Sequence, residues 1–293
     1  MNKVLSSKTH IAIFVLPALT LYIIFALFPI VYNLYLSFFR TNLMSPGEFI
    51  GLRNYTNLFR DTTFIRSLRN NILLIFGSLL AHLPLALFFA HCIFSKVKGG
   101  KFFQTVFFLP TVIAGAAVGL MFHFVYHYEI GLVNNFLEFI NLGHLRNQWL
   151  ANTETVMISI IFVVMWRFVG YHMVIQLAAM KAIPTSLYES AEIDGASGFK
   201  KFVYITLPLI RPILRIDAIL IITGSLKYFD LIFVMTGGGP NHASEVLATY
   251  MYATAFRMLR FGYASAIGMV LLLLCVVSVL ISNVIFKGES VEY

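Results

Sequence analysis

Charge is the scarcest feature of this chain. Only 12% of its 293 residues are Asp, Glu, Lys or Arg, while 59% are hydrophobic. Soluble domains carry roughly 25% charge, so a water-soluble fold of this length is excluded. The natural solvent is a bilayer, where a spanning helix takes about 20 mostly apolar residues. Cysteine is nearly missing too. Cys92 and Cys275 lie far apart in apolar runs without metal-ligand spacing, and read as small core residues. The triple glycine at 237–239 is not followed by Gly-Lys-Ser/Thr, and no Walker-type sequence occurs anywhere, so the chain itself is not expected to hydrolyse ATP. Paired carboxylates, an HExxH sequence and a serine–histidine arrangement are absent as well, which removes support for an intramembrane enzyme and leaves no catalytic residue to name. His123 and His127 stand four apart as if on one helix face, but no third ligand is near, so no metal site is expected.

What is present is a series of apolar runs. They predict an all-α integral membrane protein with spans at about 10–34, 70–94, 104–126, 155–178, 213–235 and 263–286. The first run is too long for a signal-peptide core and is followed by no small-residue cleavage site, so it reads as a retained span. Small residues from Ala114 to Gly119 read as a helix–helix seam or, alternatively, as backbone lining a cavity. Residues 127–153 have room for a short interfacial helix, and 236–260 open on a glycine–proline turn before an amphipathic segment.

Six spans place both termini on one side. With the ends inside, inner segments carry eleven Lys and Arg and outer segments eight. That bias favours a cytoplasmic start at 1–9, a cytoplasmic tail at 287–293 and a cytoplasmic loop at 182–210. The net charge of +8 therefore marks topology rather than nucleic-acid binding, since the basic residues flank apolar runs. No inverted halves are evident in the sequence.

The loop at 182–210 is the longest charged interruption in the second half of the chain. Pro184 closes the preceding helix. Ser186 then has Glu189 three residues on, the spacing of a capping box. The helix so started places Tyr188, Ala191 and Ala196 on one side and Glu189, Glu192 and Asp194 on another. Gly195 and Gly198 permit a turn, and Phe199 to Leu207 reads as a second short segment ended by Pro208. Such an element suits either a docking surface for a soluble partner or a plain interfacial loop.

The spacing Glu189, Ala191, Gly195, Ile205, Leu207 and Pro208 resembles the cytoplasmic signature of bacterial ABC importer permeases, with Ser190 standing where the family usually has alanine. Leu226-Lys-Tyr-Phe-Asp-Leu-Ile-Phe-Val-Met-Thr-Gly-Gly-Gly-Pro240 is similar to the span-five end of carbohydrate-type permeases, in particular the first permease subunit of the maltose and multiple-sugar group. Phe49 to Tyr55, Phe108 to Pro110 and Gly131 to Asn134 resemble the same group, so the likeness runs from about residue 10 to 286. It implies a type I importer permease fold with a coupling helix, of which Glu189, Ala191, Glu192, Asp194 and Gly195 would meet an ATPase. It implies a heterodimer with a second homologous permease, two ATPase subunits that bind ATP and Mg, and an extracytoplasmic solute-binding protein. It also implies a bacterial inner-membrane location and a saccharide substrate.

Candidates for the solute path lie in the spans flanking that loop. Trp166, Phe168, Tyr171, Gln176, Tyr228 and Phe229 offer rings for pyranose C–H faces and polar partners for hydroxyls. Tyr171 falls eighteen residues before Glu189, where the family pattern has a sugar-contacting tyrosine. Gly224, Ser225 and Tyr228 occupy the matching span-five positions, with side chains that depart from the maltose pattern. Arg167, Asp217, Lys227 and Asp230 are ionisable residues within or near spans, where such groups face a cavity or a partner. Lys227 and Asp230 are three apart and are expected to share a helix face and pair. Asp217, near Arg215, reads as structural or at headgroup level. Arg167 and Lys227 keep an anionic solute, glycerol phosphate or an acidic oligosaccharide, as an alternative. An ion-gradient transporter is the alternative from another class.

Overall fold

A computed structural model of the chain describes residues 8–285, apart from 43, 45, 46 and 96. The expected cytoplasmic start at 1–7, Lys96, Phe286 and the expected tail 287–293 lie outside the described residues. Two compact units appear. One holds the chain up to Asp61 together with Met251–Val270, and the other holds Thr62–Tyr250 and the residues from Leu271 on.

In the first unit, α1 (Lys8–Tyr22) runs through a π-helical turn at Ile23–Leu27 into α2 (Phe28–Leu36). Pro17 sits inside α1 and Pro29 in the first turn of α2. The run Ile13–Leu36 is long enough to cross a bilayer, and none of its apolar window is buried, as suits a helix sheathed in lipid. A two-residue hairpin follows, β1 (Phe39–Arg40) against β2 (Glu48–Phe49), with Phe39 opposite Phe49. The short α3 (Arg53–Leu58) is tied to it by Asn54, whose Nδ2 donates to the Ser37 carbonyl at 2.7 Å and the Phe39 carbonyl at 3.0 Å.

The second unit begins with α4 (Thr62–Phe94), a helix that contains the expected span at 70–94 and extends before it. The expected third span is not one helix. α5 (Gly100–Val112) and α6 (Gly115–Val125) are bent by 98° at Ile113–Ala114, both in extended conformation. α6 ends at Val125, so His127 leaves the helix face it was expected to share with His123. A short helix, α7 (Leu132–Phe139), precedes α8 (Val156–Lys181). Then come α9 (Thr185–Ile193) and α10 (Gly198–Lys201). A π turn at Phe202–Thr206 carries α10 directly into α11 (Leu207–Leu226). Pro208 therefore ends nothing. It lies in the first turn of α11, directly after the π turn. Lys227–Phe229 interrupt the helix before α12 (Asp230–Met235), and α13 (Leu247–Tyr252) and α14 (Phe261–Ile285) complete the chain. Among the described residues, five helical runs are long and apolar enough to cross a membrane, and six if the bent pair is counted as one.

Two buried clusters hold the second unit together. Leu74, Phe122, Ile160, Val164, Leu231 and Met235 join α4, α6, α8 and α12. Ala86, Ala90, Met173, Leu177, Met180 and Ile210 join α4, α8 and α11. Helices in lipid associate by close packing rather than by water exclusion, so small residues set the distances. Gly170 is the clearest case, since a Cβ there would overlap the backbone carbonyl of Phe107 on α5. Gly224, by contrast, has open space around it. Gly170→Val is expected to lose about 1–3 kcal/mol through overpacking against backbone that cannot yield. Gly224→Ala should be neutral or gain about 0.5–1 kcal/mol of helix stability. Thermal unfolding of the purified protein in detergent separates the two.

Candidate functional site

The break between α5 and α6 frees backbone groups inside an apolar layer, where each must find a partner within the protein. Arg167, on α8, supplies it. Its Nη2 donates to the Ile113 carbonyl at 3.0 Å, and its own carbonyl accepts from the Thr111 hydroxyl at 2.8 Å. The other guanidinium nitrogen, Nη1, donates to the Tyr228 hydroxyl at 3.2 Å and lies 3.6 Å from Asp230 Oδ2. The guanidinium also stacks over the Phe168 ring at 5.0 Å. Gly115, which opens α6, is the reason these groups fit. A Cβ there would collide with the Asp230 carboxylate and with Arg167. Arg167 is 8% exposed, whereas the Asp230 side chain is 48% exposed. The cluster thus has one buried and one open end.

Arg167, Tyr228 and Asp230 are the expected path residues that the fold brings together. Lys227 does not pair with Asp230. The helix ends at Leu226, so the three-residue spacing no longer defines a face, and Lys227 stays exposed. Trp166 packs edge-on against Phe122 at 5.2 Å, within the core. Tyr171 is partly exposed, with its ring 5.2 Å from that of His172. Ser225 is buried, and its carbonyl accepts from Asn71 Nδ2 at 3.0 Å, while Gly224 is exposed.

A second polar cluster was not legible beforehand. Asp217 on α11 is fully buried, as the structural reading expects. It accepts from His172 Nδ1 at 2.6 Å and from Gln176 Nε2 at 2.7 Å. Gln176 is therefore committed to a carboxylate rather than open to a solute. His82 on α4 lies against His172 with ring centroids 4.9 Å apart. His172 and Gln176 are four apart on α8, and that spacing around a polar pair is the one sequence signal that pointed here.

The loop after α8 forms a defined element. α9 ends in a Schellman motif: Ala196 N donates to the Ala191 carbonyl at 2.9 Å, and Gly195 N to the Glu192 carbonyl at 3.0 Å. Gly195 takes φ of +73°, the left-handed region that glycine enters without steric cost. The expected capping box at Ser186 is not formed. The helix starts earlier, at Thr185 after Pro184, which puts Ser186 inside the first turn. Ser197 caps α10 instead, accepting from Lys200 N. Tyr188, Ala191 and Ala196 are part-buried, and Glu189, Glu192, Ile193 and Asp194 face outward. Lys201 Nζ donates to Glu192 Oε1 at 2.6 Å, which clasps α10 to α9. The Lys201 ammonium holds the Glu192 carboxyl below its ordinary value.

The family described as "Binding-protein-dependent transport system inner membrane component" matches residues 82–289. The chain is 38% identical over 283 residues to "Probable ABC transporter permease protein YurN" of Bacillus subtilis (strain 168), covering 96% of this chain and 97% of that one. It is 31% identical over 269 residues to "Multiple sugar-binding transport system permease protein MsmF" of Streptococcus mutans, covering 91% and 92%. Among solved structures, it resembles a chain of a bacterial alginate ABC transporter in complex with an alginate pentasaccharide-bound periplasmic protein. The TM-score is 0.83 at 28% identity, and 94% of this chain and 93% of that chain are covered.

Asp217→Ala strands two buried donors and is expected to lower stability by about 2–4 kcal/mol. Asp217→Asn, which keeps an acceptor, should lose roughly half as much, and thermal unfolding reads both. For Glu192 the depressed folded pKa means that the clasp is complete above the ordinary value of 4.5 and is lost as pH falls through the lowered value. Carboxyl NMR titration should find Glu192 below 4.5 and returned to it in Lys201→Met.

Proposed function

The chain belongs to the family of binding-protein-dependent transport system inner membrane components, and from that membership we propose that it is one permease subunit of an ATP-driven importer for a sugar or oligosaccharide. The observation that carries this reading is the element from Thr185 to Thr206. Its outward face combines Glu189, Glu192 and Asp194 with the exposed apolar side chains of Ile193 and Phe199. A plain tether between spans needs no such surface. Acids offer salt bridges to a basic partner, and Ile193 at 88% exposure is an anchor for a pocket. The partner is a soluble ATPase that binds ATP and Mg, present in two copies. A second homologous permease completes the membrane pair, and an extracytoplasmic solute-binding protein delivers the solute.

In this reading both termini and the Thr185–Thr206 element are cytoplasmic. ATP binding closes the ATPase pair and displaces the element. α8 reaches one end of it through the three residues 182–184, and α11 continues from the other through the π turn, so displacement tilts both and reshapes the region around Arg167, Tyr228 and Asp230. Sugar-transport relatives support a saccharide. The Asp230 carboxylate already faces Arg167, which favours a neutral saccharide over an anionic one, although the similar alginate importer moves an acidic polysaccharide. Membership in a binding-protein-dependent family sets the ion-gradient alternative aside.

The test is uptake against ATP hydrolysis in the reconstituted complex. Gly195→Leu strains a left-handed position, by about 1 kcal/mol or more, and places bulk at the docking turn. It should reduce uptake per ATP hydrolysed at least about tenfold, or prevent the ATPase from co-purifying. Glu192→Lys combined with Gly195→Asp should do the same. Unchanged transport in the double variant would sink the docking assignment.

A further inference from the structure

The first unit contains a pocket that the transport cycle does not use. Arg40, Arg53 and Arg260 line it together with Asn54, Asn57 and Tyr263, and it encloses about 500 Å³. Glu48 is the one carboxylate among its lining residues, and it pairs with Arg40 at 3.2 Å. Among the lining residues two guanidiniums remain in excess, with Asp61 the next carboxylate behind the Tyr263 wall. Arg260 lies over the Tyr263 ring at 4.4 Å, and the Tyr263 hydroxyl donates to Asp61 Oδ2 at 2.7 Å, so one wall is fixed. Asn54 is buried and held by two backbone carbonyls, which fixes a second wall.

The position of the pocket is as specific as its charge. The first apolar span ends at Leu36, just before Arg40, and the last begins at Phe261, directly after Arg260. The cationic side chains therefore sit at the level where apolar spans give way to polar loops. Phe49, Leu52, Phe59 and Leu259 are exposed beside them. Apolar side chains at that depth enter the acyl boundary, and an aromatic such as Tyr263 is at home at the interface. Guanidinium forks match phosphate oxygens in a bidentate way that an ammonium does not. All the basic side chains lining this pocket are arginines, as are the other basic residues of the 35–69 and 236–260 stretches.

We propose that this pocket binds the phosphate headgroup of an anionic phospholipid, between the end of the first span and the start of the last. An acidic segment of a protein partner would also answer the charge. The pocket's depth at the span ends and its flanking exposed apolar side chains favour a lipid, whose acyl chains lie against those residues. The assignment does not depend on which side of the membrane this face occupies.

The experiment is native mass spectrometry of the purified full complex, titrated in detergent with phosphatidylglycerol or with phosphatidylcholine. Glycerol phosphate at matched concentration is the arm for a soluble anion. Phosphatidylglycerol is expected to stay bound where phosphatidylcholine does not, and glycerol phosphate is expected to leave the retained lipid unchanged. Arg53→Gln with Arg260→Gln should weaken retention about 30-fold, the loss expected for two cations at a membrane surface. If that double variant does not assemble, Arg53→Gln alone, at an exposed position, should weaken it about fivefold. The double lysine variant keeps the charge but loses the fork, and should bind more tightly than the double glutamine variant and more weakly than the unaltered protein. Equal retention of phosphatidylcholine, equal binding of glycerol phosphate, or phosphatidylglycerol binding indifferent to the glutamine variants would each overturn the proposal. So would variants that weaken capture of the solute-binding protein and leave lipid retention intact, which would give the pocket to a protein segment.

Discussion

A carbonyl freed inside a bilayer has no water to turn to, and much of the second unit is arranged around that fact. The chain bends by 98° at Ile113–Ala114, and the guanidinium of Arg167 takes the carbonyl of Ile113. A guanidinium in an apolar layer then needs its own counter-charge. Asp230 provides it, from the start of a short helix that exists because α11 stops at Leu226. Tyr228, in the break between those helices, contributes its hydroxyl. Gly115 leaves the space in which all of this occurs. Two broken helices are thus joined through one arginine, and each break gives a reason for the other.

The same helix carries the second polar cluster. α8 presents Arg167 to the break and, further along, His172 and Gln176 to the fully buried Asp217 of α11. Charge-assisted bonds of this kind fix the register of neighbouring helices more sharply than contacts among leucine and methionine side chains do. α8 and α11 are also the helices that lead into and out of the Thr185–Thr206 element. In the proposed function, a displacement delivered there enters two helices already bonded to one another, and one of them holds the Arg167 cluster.

The element itself was largely readable in the sequence. Helical spacing placed Tyr188, Ala191 and Ala196 on one side, and those are the part-buried positions. Gly195 was expected at a turn and occupies the left-handed conformation that ends a helix. Two local signals misled. A serine with glutamate three residues on has the form of a capping box, but the helix is capped at Pro184, two residues too early for it. Pro208 has the form of a stop, but it sits where a helix can begin, and a π turn joins the segments before it. Both signals are real local preferences. Which one acts depends on where the helix starts, and packing settles that.

Composition and period alone determined that this chain lives in a bilayer and that Gly195 and Gly198 are the glycines where the exposed element can turn, because a thin charge content and a missing Cβ are read from the residues themselves. Tertiary structure alone decided the partners of the buried charges. Asp230 meets Arg167 rather than Lys227, and Asp217 meets His172 and Gln176. The physical reason is distance along the chain. A charge in an apolar layer takes whichever complementary group the packed helices bring within about 3 Å, and no spacing within one segment encodes a neighbour some fifty residues away.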